Sequence, residues 1–194
     1  EPEPGASFVL SDHPVLDIAP DGSRIVYVAR KDGAQHLYIR ERSSALARRI
    51  PGTDGAISPA FSPDGRSVAF FADNKLKVAS LDGAPIVLTT VNDPRGVTWL
   101  DREKLAFSPE AGAPLLSIPA QGGTTVPFSA LKAEQGERSH RWPQAIPGGG
   151  ALFTVGEVSS QGAYDGSRID AVPGAVGPRR TLFTGARFAR YRSG

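Results

Sequence analysis

The residues best suited to chemistry in this 194-residue chain are few and scattered. It holds three histidines, His13, His36 and His140, and no cysteine. The missing thiols exclude disulfides, thiol catalysis and thiolate metal sites. A zinc site or a general base built from the histidines needs convergence in space, which their wide separation in the chain does not supply. His36 alternates with Leu37 and Ile39 and is expected on the surface of a strand. His140 stands beside Arg141, Trp142 and Pro143 and is expected to make a structural hydrogen bond to a neighbouring element. Ser129-Ala130-Leu131-Lys132 has the Ser-x-x-Lys spacing of penicillin-binding enzymes. The companion Ser-Asp-Asn and Lys-Thr-Gly motifs do not occur, so the match is read as chance. Gly148-Gly149-Gly150 lacks the Lys-Ser/Thr and the helix of a phosphate loop.

The carboxylates read differently. Asp21 and Asp64 each sit in a Pro-Asp-Gly segment, Asp21-Gly22 and Asp64-Gly65. In such a turn the Asp accepts a backbone hydrogen bond and the Gly takes the positive φ, so these are structural turn residues rather than metal ligands. Asp17 is harder to dismiss but stands alone. Trp99 and Trp142 fall at comparable places before successive turns, which predicts packing between elements, with ligand stacking as the other use of an indole. Arg95, Arg141 and Arg190 recur near the starts of strands. The pairs Arg48-Arg49 and Arg179-Arg180 read as solvated turn charges. No aromatic-rich basic stripe accompanies them, so nucleic acid is not an expected partner. No catalytic constellation, metal site or cofactor site emerges.

These residues are positioned by a repeat. Ile18-Ala19-Pro20-Asp21-Gly22-Ser23-Arg24-Ile25-Val26-Tyr27-Val28 is echoed 43 positions later by Phe61-Ser62-Pro63-Asp64-Gly65-Arg66-Ser67-Val68-Ala69-Phe70-Phe71. Each reads as strand, turn, strand, at the period of a four-stranded propeller blade. The pattern decays through Asp101 and then Gly148, marking units that begin near Pro14, Ser58, Arg95 and Arg141. Each unit continues with two further short strands. The expected fold is all-β: a β-propeller of four-stranded antiparallel blades, with about four blades across residues 1–194. Small sheets with two apolar faces bury both by stacking around an axis. The 22 glycines and 17 prolines suit a chain with many turns.

Two loops exceed what a hairpin needs, 130–140 and 157–167. At the ends, Phe8-Val9-Leu10 is expected to serve as an outer strand of the last blade. Residues 186–194 are expected to open a fifth unit that stops at its turn. The chain is accordingly read as part of a larger propeller. An open ring of this kind would self-associate through its terminal blades.

Ser62-Pro63-Asp64-Gly65-Arg66-Ser67-Val68-Ala69-Phe70 resembles the WD40-like repeat of TolB-type β-propellers. The text from Phe61 to Leu76, Asn92-Asp93-Pro94-Arg95-Gly96, Ser139-His140-Arg141-Trp142-Pro143 and Ala189-Arg190-Tyr191 resembles one subset more closely. That subset follows the kinase domain and membrane segment of some bacterial eukaryotic-like serine/threonine kinases. The resemblance implies more blades than are present here, an extracytoplasmic location (periplasmic or cell surface) and a non-catalytic sensor or scaffold that binds a protein or peptide. It implies no catalytic residue in this segment, and the kinase motifs are absent from it. Two alternatives compete. A propeller can gate a separate hydrolase domain of prolyl oligopeptidase type, whose Gly-x-Ser-x-Gly elbow does not occur here. A propeller can also be an enzyme of glycosidase or lactonase type, with Arg95, Arg141 and Arg190 converging. No apolar run approaches the roughly 18 residues of a membrane span, so no membrane contact is expected of this segment. If a ligand is stacked or bound, His140, Arg141, Trp142 and Trp99 are the candidates.

Overall fold

The hairpin turns follow their local chemistry. In this computed structural model, which describes residues 4–9, 11–157, 167–174 and 177–191, Asp64 Oδ1 accepts the Arg66 N–H at 3.0 Å and the Ser62 hydroxyl at 2.6 Å. Gly65 sits at φ 66°, the left-handed region where a β-carbon is strained. Asp21 Oδ1 likewise accepts the Ser23 N–H at 2.9 Å and its hydroxyl at 2.7 Å, with Gly22 at φ 70°. These bonds hold the exposed Asp21 carboxyl below its ordinary range. Asp101 accepts the Glu103 N–H at 2.7 Å, so the third turn keeps the device after losing its Pro and Gly.

Four antiparallel sheets result. In the first, β1 (Ala6–Phe8) and β2 (Leu16–Ile18) both pair with one edge of β3 (Arg24–Lys31), and β4 (Ala34–Glu41) and β5 (Ala47–Arg49) follow. The second runs β6 (Ile57–Phe61), β7 (Ser67–Ala72), β8 (Lys75–Ser80), β9 (Ile86–Thr90). The third runs β10 (Val97–Trp99), β11 (Lys104–Phe107), β12 (Leu116–Pro119), β13 (Val126–Pro127). The fourth runs β14 (Glu137–Ile146), β15 (Gly150–Glu157), β16 (Arg168–Val172), β17 (Arg180–Thr184). A 3₁₀ turn, Ala133–Gln135, is the sole helical element among the described residues. The chain divides into two compact units, one holding β1 to β9 and the other β10 to β17.

In the first unit, alternate residues of β3 serve two faces. Val26 and Val28 join Leu37, Ile39, Val68 and Phe70 in one core, while Tyr27 and Ala29 join Tyr38 on the opposite face. Strands covered on both sides carry apolar residues at consecutive positions. This also corrects the expectation for His36. It is 5% exposed, not a surface residue, because residues 36–39 of β4 are all buried. In the second unit Leu115, Phe153 and Val155 form one core cluster, with Phe128 and Val172 against it.

Outer edges are guarded against further pairing. β5 has three residues, two of them Arg48 and Arg49, and β13 has two residues ending in Pro127. The longer β9 and β17 each carry a break in register against their neighbour. Short, charged, proline-bearing or bulged edges are poor templates for a new strand.

Three expectations need revision. Phe8 is not an outer strand of the last sheet. Ala6–Phe8 pairs with Ala29–Lys31, because β2 covers only part of the eight-residue β3 and leaves backbone groups to satisfy. The Phe8 ring then lies edge-on to Tyr27, at 5.5 Å between centroids. The loop expected over 130–140 is shorter, because β14 already begins at Glu137. Residues 186–191 form no strand; they run irregularly after β17. Of the excursion expected at 157–167, residues 158–166 lie outside the described residues, as do Leu10 and 192–194.

Candidate functional site

The longest strand, β14, brings together most of the residues singled out in the sequence. Its register against β15 breaks between Arg141 and Gln144, so Trp142 and Pro143 oppose Phe153 alone. Trp142 takes φ 48°, a conformation that costs a bulky residue energy. The bend turns its N–H toward the third sheet, where it donates to the Arg95 carbonyl at 2.6 Å. Gly96 allows the approach: a β-carbon there, at φ 102°, would lie 3.0 Å from the Trp142 Cα. One step further, the Ala145 N–H donates to the Thr98 hydroxyl at 3.0 Å. Thus β14 is clasped to β10 and to the residues just before it by two bonds, each spanning 47 residues of chain. The first unit uses the same device, with the Phe61 N–H donating to Asp17 Oδ2 at 2.8 Å. Asp17 therefore acts as a strand clasp. The bulge also recurs, for Ser58-Pro59 breaks the register of β6 with Ser58 at φ 53°.

Trp99 and Trp142 turn out not to be equivalent. Counted from the buried Phe107 and Phe153, Trp99 corresponds to Ala145 and Trp142 to Gly96. Trp99 is buried in β10. Arg141 is buried too; its Nη2 donates to the Ala111 carbonyl at 2.7 Å and its Nε to the Ser139 hydroxyl at 2.9 Å.

Beneath β14 lies a cluster that the sequence did not suggest. Glu137 is 1% exposed and His140 0%. The Glu137 carboxylate receives guanidinium hydrogen bonds from Arg168 and Arg179, and the Lys132 N–H at 2.7 Å. Arg168 also binds Glu157, and its Nε donates to Asp170 Oδ1 at 3.1 Å. Arg179 Nε lies 3.0 Å from Asp170 Oδ2, and the Thr181 hydroxyl donates to Asp170 Oδ1 at 2.9 Å. The sequence places Arg179 among the solvated turn charges, and the structure does not. Its side chain is only 12% exposed, because the turn before β17 points it under the sheet at two carboxylates. Glu137 on β14 and the Arg168 and Asp170 pair on β16 gave no signal, since they come from two separate strands and form no motif.

His140 joins this cluster to the third sheet. Its Nδ1 lies 2.6 Å from the hydroxyl of Ser129, just past β13, and its backbone N–H donates to the Ala113 carbonyl at 3.0 Å. Its Nε2 lies 3.3 Å from Glu137 Oε2 and 3.2 Å from Arg179 Nη1. Burial, then the Arg179 charge, lowers the imidazole to about 4 against the opposing pull of Glu137. Burial pushes the Glu137 carboxyl up, but the Arg179 and Lys132 hydrogen bonds outweigh it and bring it to about 2. At neutral pH the site is therefore an uncharged imidazole against an ionised carboxylate.

Ser129, His140 and Glu137 thus form a hydroxyl, imidazole and carboxylate chain, the order of a nucleophilic triad. Three features make it a clamp instead. The imidazole has no exposure, it is weakly basic, and the Ser129 oxygen already accepts the Leu115 N–H at 2.8 Å. Two guanidiniums bridge three carboxylates, as in a structural ion network.

The other named residues stay apart from this cluster. His13 and His36 belong to the first unit, and His36 Nδ1 lies 3.6 Å from the exposed Asp54. No group of three or more His, Asp or Glu among the described residues could hold a metal ion. Nor is any helix among them long and apolar enough to cross a membrane. On its other side Trp142 meets the segment after β17. Its ring lies 6.4 Å from Phe188, edge-on, and the Arg190 guanidinium lies 5.9 Å from the Phe188 centroid. Phe188 is 46% exposed and Tyr191 43%. The Thr154 hydroxyl holds this segment through the Arg187 carbonyl at 2.8 Å, and Ser167 through that of Ala186 at 3.1 Å.

No family model matches the sequence, and no curated protein sequence matches it. Solved structures do. Putative TolB from Agrobacterium tumefaciens superposes with a TM-score of 0.72 at 17% identity, covering 88% of this chain and 66% of that one. A chain of a nidogen/laminin complex gives 0.67 at 12% identity, over 87% of this chain and 63% of that one. The β-propeller domain of the trilobed protease from Pyrococcus furiosus, described as having an open velcro topology, gives 0.55 at 16% identity, over 92% and 59%. The chain therefore spans roughly three fifths to two thirds of each of these relatives, and at such identities the likeness establishes fold. With its four antiparallel sheets, the chain has the fold of a partial TolB-like β-propeller.

Proposed function

We propose that this segment is a non-catalytic binding or scaffold propeller, working as a sensor or interaction module of a larger protein. The observation that carries the reading is the state of the chemistry beneath β14. Its titratable groups are mostly buried and paired with one another, two guanidiniums among three carboxylates, while Phe188, beside Trp142 of the same strand, is exposed. Groups arranged for stability on one side and contact on the other suit recognition better than turnover. Two of the three arginines offered for a catalytic pocket have structural partners. Arg95 pairs with Asp93 at 2.5 Å and Arg141 is held by backbone and Ser139. The textual likeness to kinase-linked propellers supports the sensor role and a place outside the cytoplasmic membrane.

The binding surface is assigned to Trp142 and its neighbours, with His140, Arg141 and Trp99 as buried support. Apolar faces on the terminal blades of an open ring would favour pairing of chains. Light scattering at several concentrations tests that pairing, and a strict monomer at all of them removes it. The functional reading is tested by assaying the chain on glycoside, lactone, ester and peptide substrates. No turnover is expected. Reproducible turnover lost on mutation of Ser129 or His140, with the fold retained, would overturn the reading.

A further inference from the structure

The chain between β13 and β14 is held lightly. Ala130 and the residues from Lys132 to Gly136 are exposed, and Leu131 is half-buried. Among the described residues, two hydrogen bonds tie this segment to the cluster beneath β14. The Ala130 carbonyl accepts Arg179 Nη1 at 3.0 Å, and the Lys132 N–H donates to Glu137 Oε2 at 2.7 Å. Ser129, at the root, is fixed separately, for its N–H donates to the Leu115 carbonyl at 3.2 Å and its hydroxyl accepts the Leu115 N–H. Gly136 ends the segment at φ 80°, with nothing within 4 Å of where a β-carbon would stand, which makes a hinge in open space. A stretch with so little buried apolar contact opens at low cost.

Both ties end on atoms that one imidazole nitrogen touches. His140 Nε2 lies 3.2 Å from Arg179 Nη1 and 3.3 Å from Glu137 Oε2. From this coincidence we infer that residues 130–136 form a strap that His140 releases when it takes up a proton, while the sheets on either side stay folded. The release does not depend on the binding-module reading. An imidazolium carries an N–H on both ring nitrogens. Its Nε2–H then faces Arg179, donor against donor and cation against cation. Arg179 keeps Asp170 on its other flank, Nε to Oδ2 at 3.0 Å, so it can shift that way and drop the Ala130 carbonyl. The same Nε2–H competes with the Lys132 N–H for Glu137 Oε2, and a bond charged at both ends is the stronger. Phe153 faces the ring at 4.6 Å between centroids, Ser129 meets Nδ1, and Asp170 adds attraction; Arg168 and Glu157 lie one contact further out, through Glu137. Burial and then Arg179 hold the closed imidazole to about 4 against Glu137 and Asp170. Opening the strap admits water to the ring and frees Arg179 to withdraw, so the open form takes up the proton at higher pH. Opening is therefore favoured as the pH falls from 6.5 toward 4.

The chain has no cysteine, so a single thiol reports on one place at a time. Ala133→Cys, on the strap, and Glu103→Cys, in the exposed turn of the third sheet, are each labelled with a nitroxide in the 194-residue chain. Electron paramagnetic resonance follows the mobility of each label from pH 7.5 to 4, and circular dichroism follows the fold. At position 133 the ratio of mobile to immobile label is expected to rise about tenfold or more between pH 6.5 and 4, since each unit by which opening raises the His140 value is worth a factor of ten. The label at 103 and the dichroism should stay level. His140→Gln should remove the rise at 133. Lys132→Pro deletes the strap N–H that Glu137 accepts, and should leave the 133 label mobile already at pH 7. That second variant decides the matter if His140→Gln does not fold. A 133 label that stays immobile down to pH 4, loosening of both labels together, the same rise in His140→Gln, or an immobile label in Lys132→Pro at pH 7 each overturn the proposal.

Discussion

The second and fourth sheets share a plan and differ in what they bury. Both open with a strand bulged at an X-Pro pair, Ser58-Pro59 and Trp142-Pro143, with the residue before the proline left-handed. The second sheet then fills its interior with Val68, Phe70, Phe71 and Leu76, all at most 1% exposed. The fourth places Glu137, His140 and Asp170 at comparable depth. An apolar interior tolerates imprecision, because dispersion and water exclusion have no direction. A buried ion network does not, since every unanswered charge is costly. The fourth sheet thus holds its third-sheet neighbour through specific bonds at Ser129, Arg95 and Thr98. The lesson is that one repeat can be stabilised by two kinds of interior, which should fail under different conditions.

The sharpest way to break the comparison is to remove one charge. Glu137→Ala leaves Asp170 as the one carboxylate bridging Arg168 and Arg179 and strips His140 and the Lys132 N–H of their buried partner. The expected loss is about 3–5 kcal/mol in urea unfolding at pH 7. Phe70→Ala in the second sheet should cost a similar amount by opening a cavity. The two diverge with pH. The Glu137→Ala deficit should shrink as the pH falls toward 2, where the parent carboxyl protonates, while the Phe70→Ala deficit stays level. Parallel deficits at every pH would mean that the network contributes packing rather than charge.

Acid sensitivity follows from the same site. His140 has its ordinary value of 6.5 when unfolded and about 4 when folded. Its contribution is full above 6.5 and is lost as the pH falls to 4, because only the unfolded chain takes up the proton in that window. Glu137 acts in the same direction lower down, from 4.5 to about 2. Stability should therefore fall from about pH 6.5, by on the order of 3 kcal/mol from His140 alone by pH 4. His140→Gln should flatten the upper window and leave the lower one. An unchanged slope between 6.5 and 4.5 in that variant would place the sensitivity elsewhere.

How much of this was legible depended on whether the signal was local. The Asp21 and Asp64 turns, the alternation in β3 and the four-strand period need only neighbours in sequence, and they could be read directly. His140 stood out by its company. Its partners did not: Arg168 and Asp170 are two apart on β16, but only register brings them to Glu137 and Arg179, and no spacing rule links positions on different strands. Arg179 was misjudged for that reason, since a turn arginine carries no mark of the side to which it points. His36 was misjudged because alternation implies one wet face, and β4 has none.

A smaller test concerns how the fourth sheet approaches the third. Gly96→Ala adds a β-carbon at φ 102° and 3.0 Å from the Trp142 Cα, backbone that cannot step aside. The expected cost is about 2 kcal/mol, with a shifted Trp fluorescence spectrum as the Trp142 environment changes. Gly65→Ala meets nothing closer than 3.7 Å and should cost only about 1 kcal/mol, from φ alone. Equal costs would show that the left-handed backbone, not the close approach, decides both.

The smallest expected effects are at the clasps, and they bear most directly on whether the repeat is one device used twice. Asp17 Oδ2 receives the Phe61 N–H, and the Thr98 hydroxyl receives the Ala145 N–H, at matching register in their sheets. Either truncation to Ala leaves a backbone donor without that acceptor, at about 1 kcal/mol. Asp17→Asn and Thr98→Ser each keep an oxygen in place and should recover most of the loss, since neither clasp needs more than an acceptor at that point. If Asp17→Asn is as damaging as Asp17→Ala while Thr98→Ser is not, the carboxylate charge matters at Asp17. The first unit would then hold an electrostatic contact of its own, and the contrast between an apolar and an ionic half of the chain would weaken.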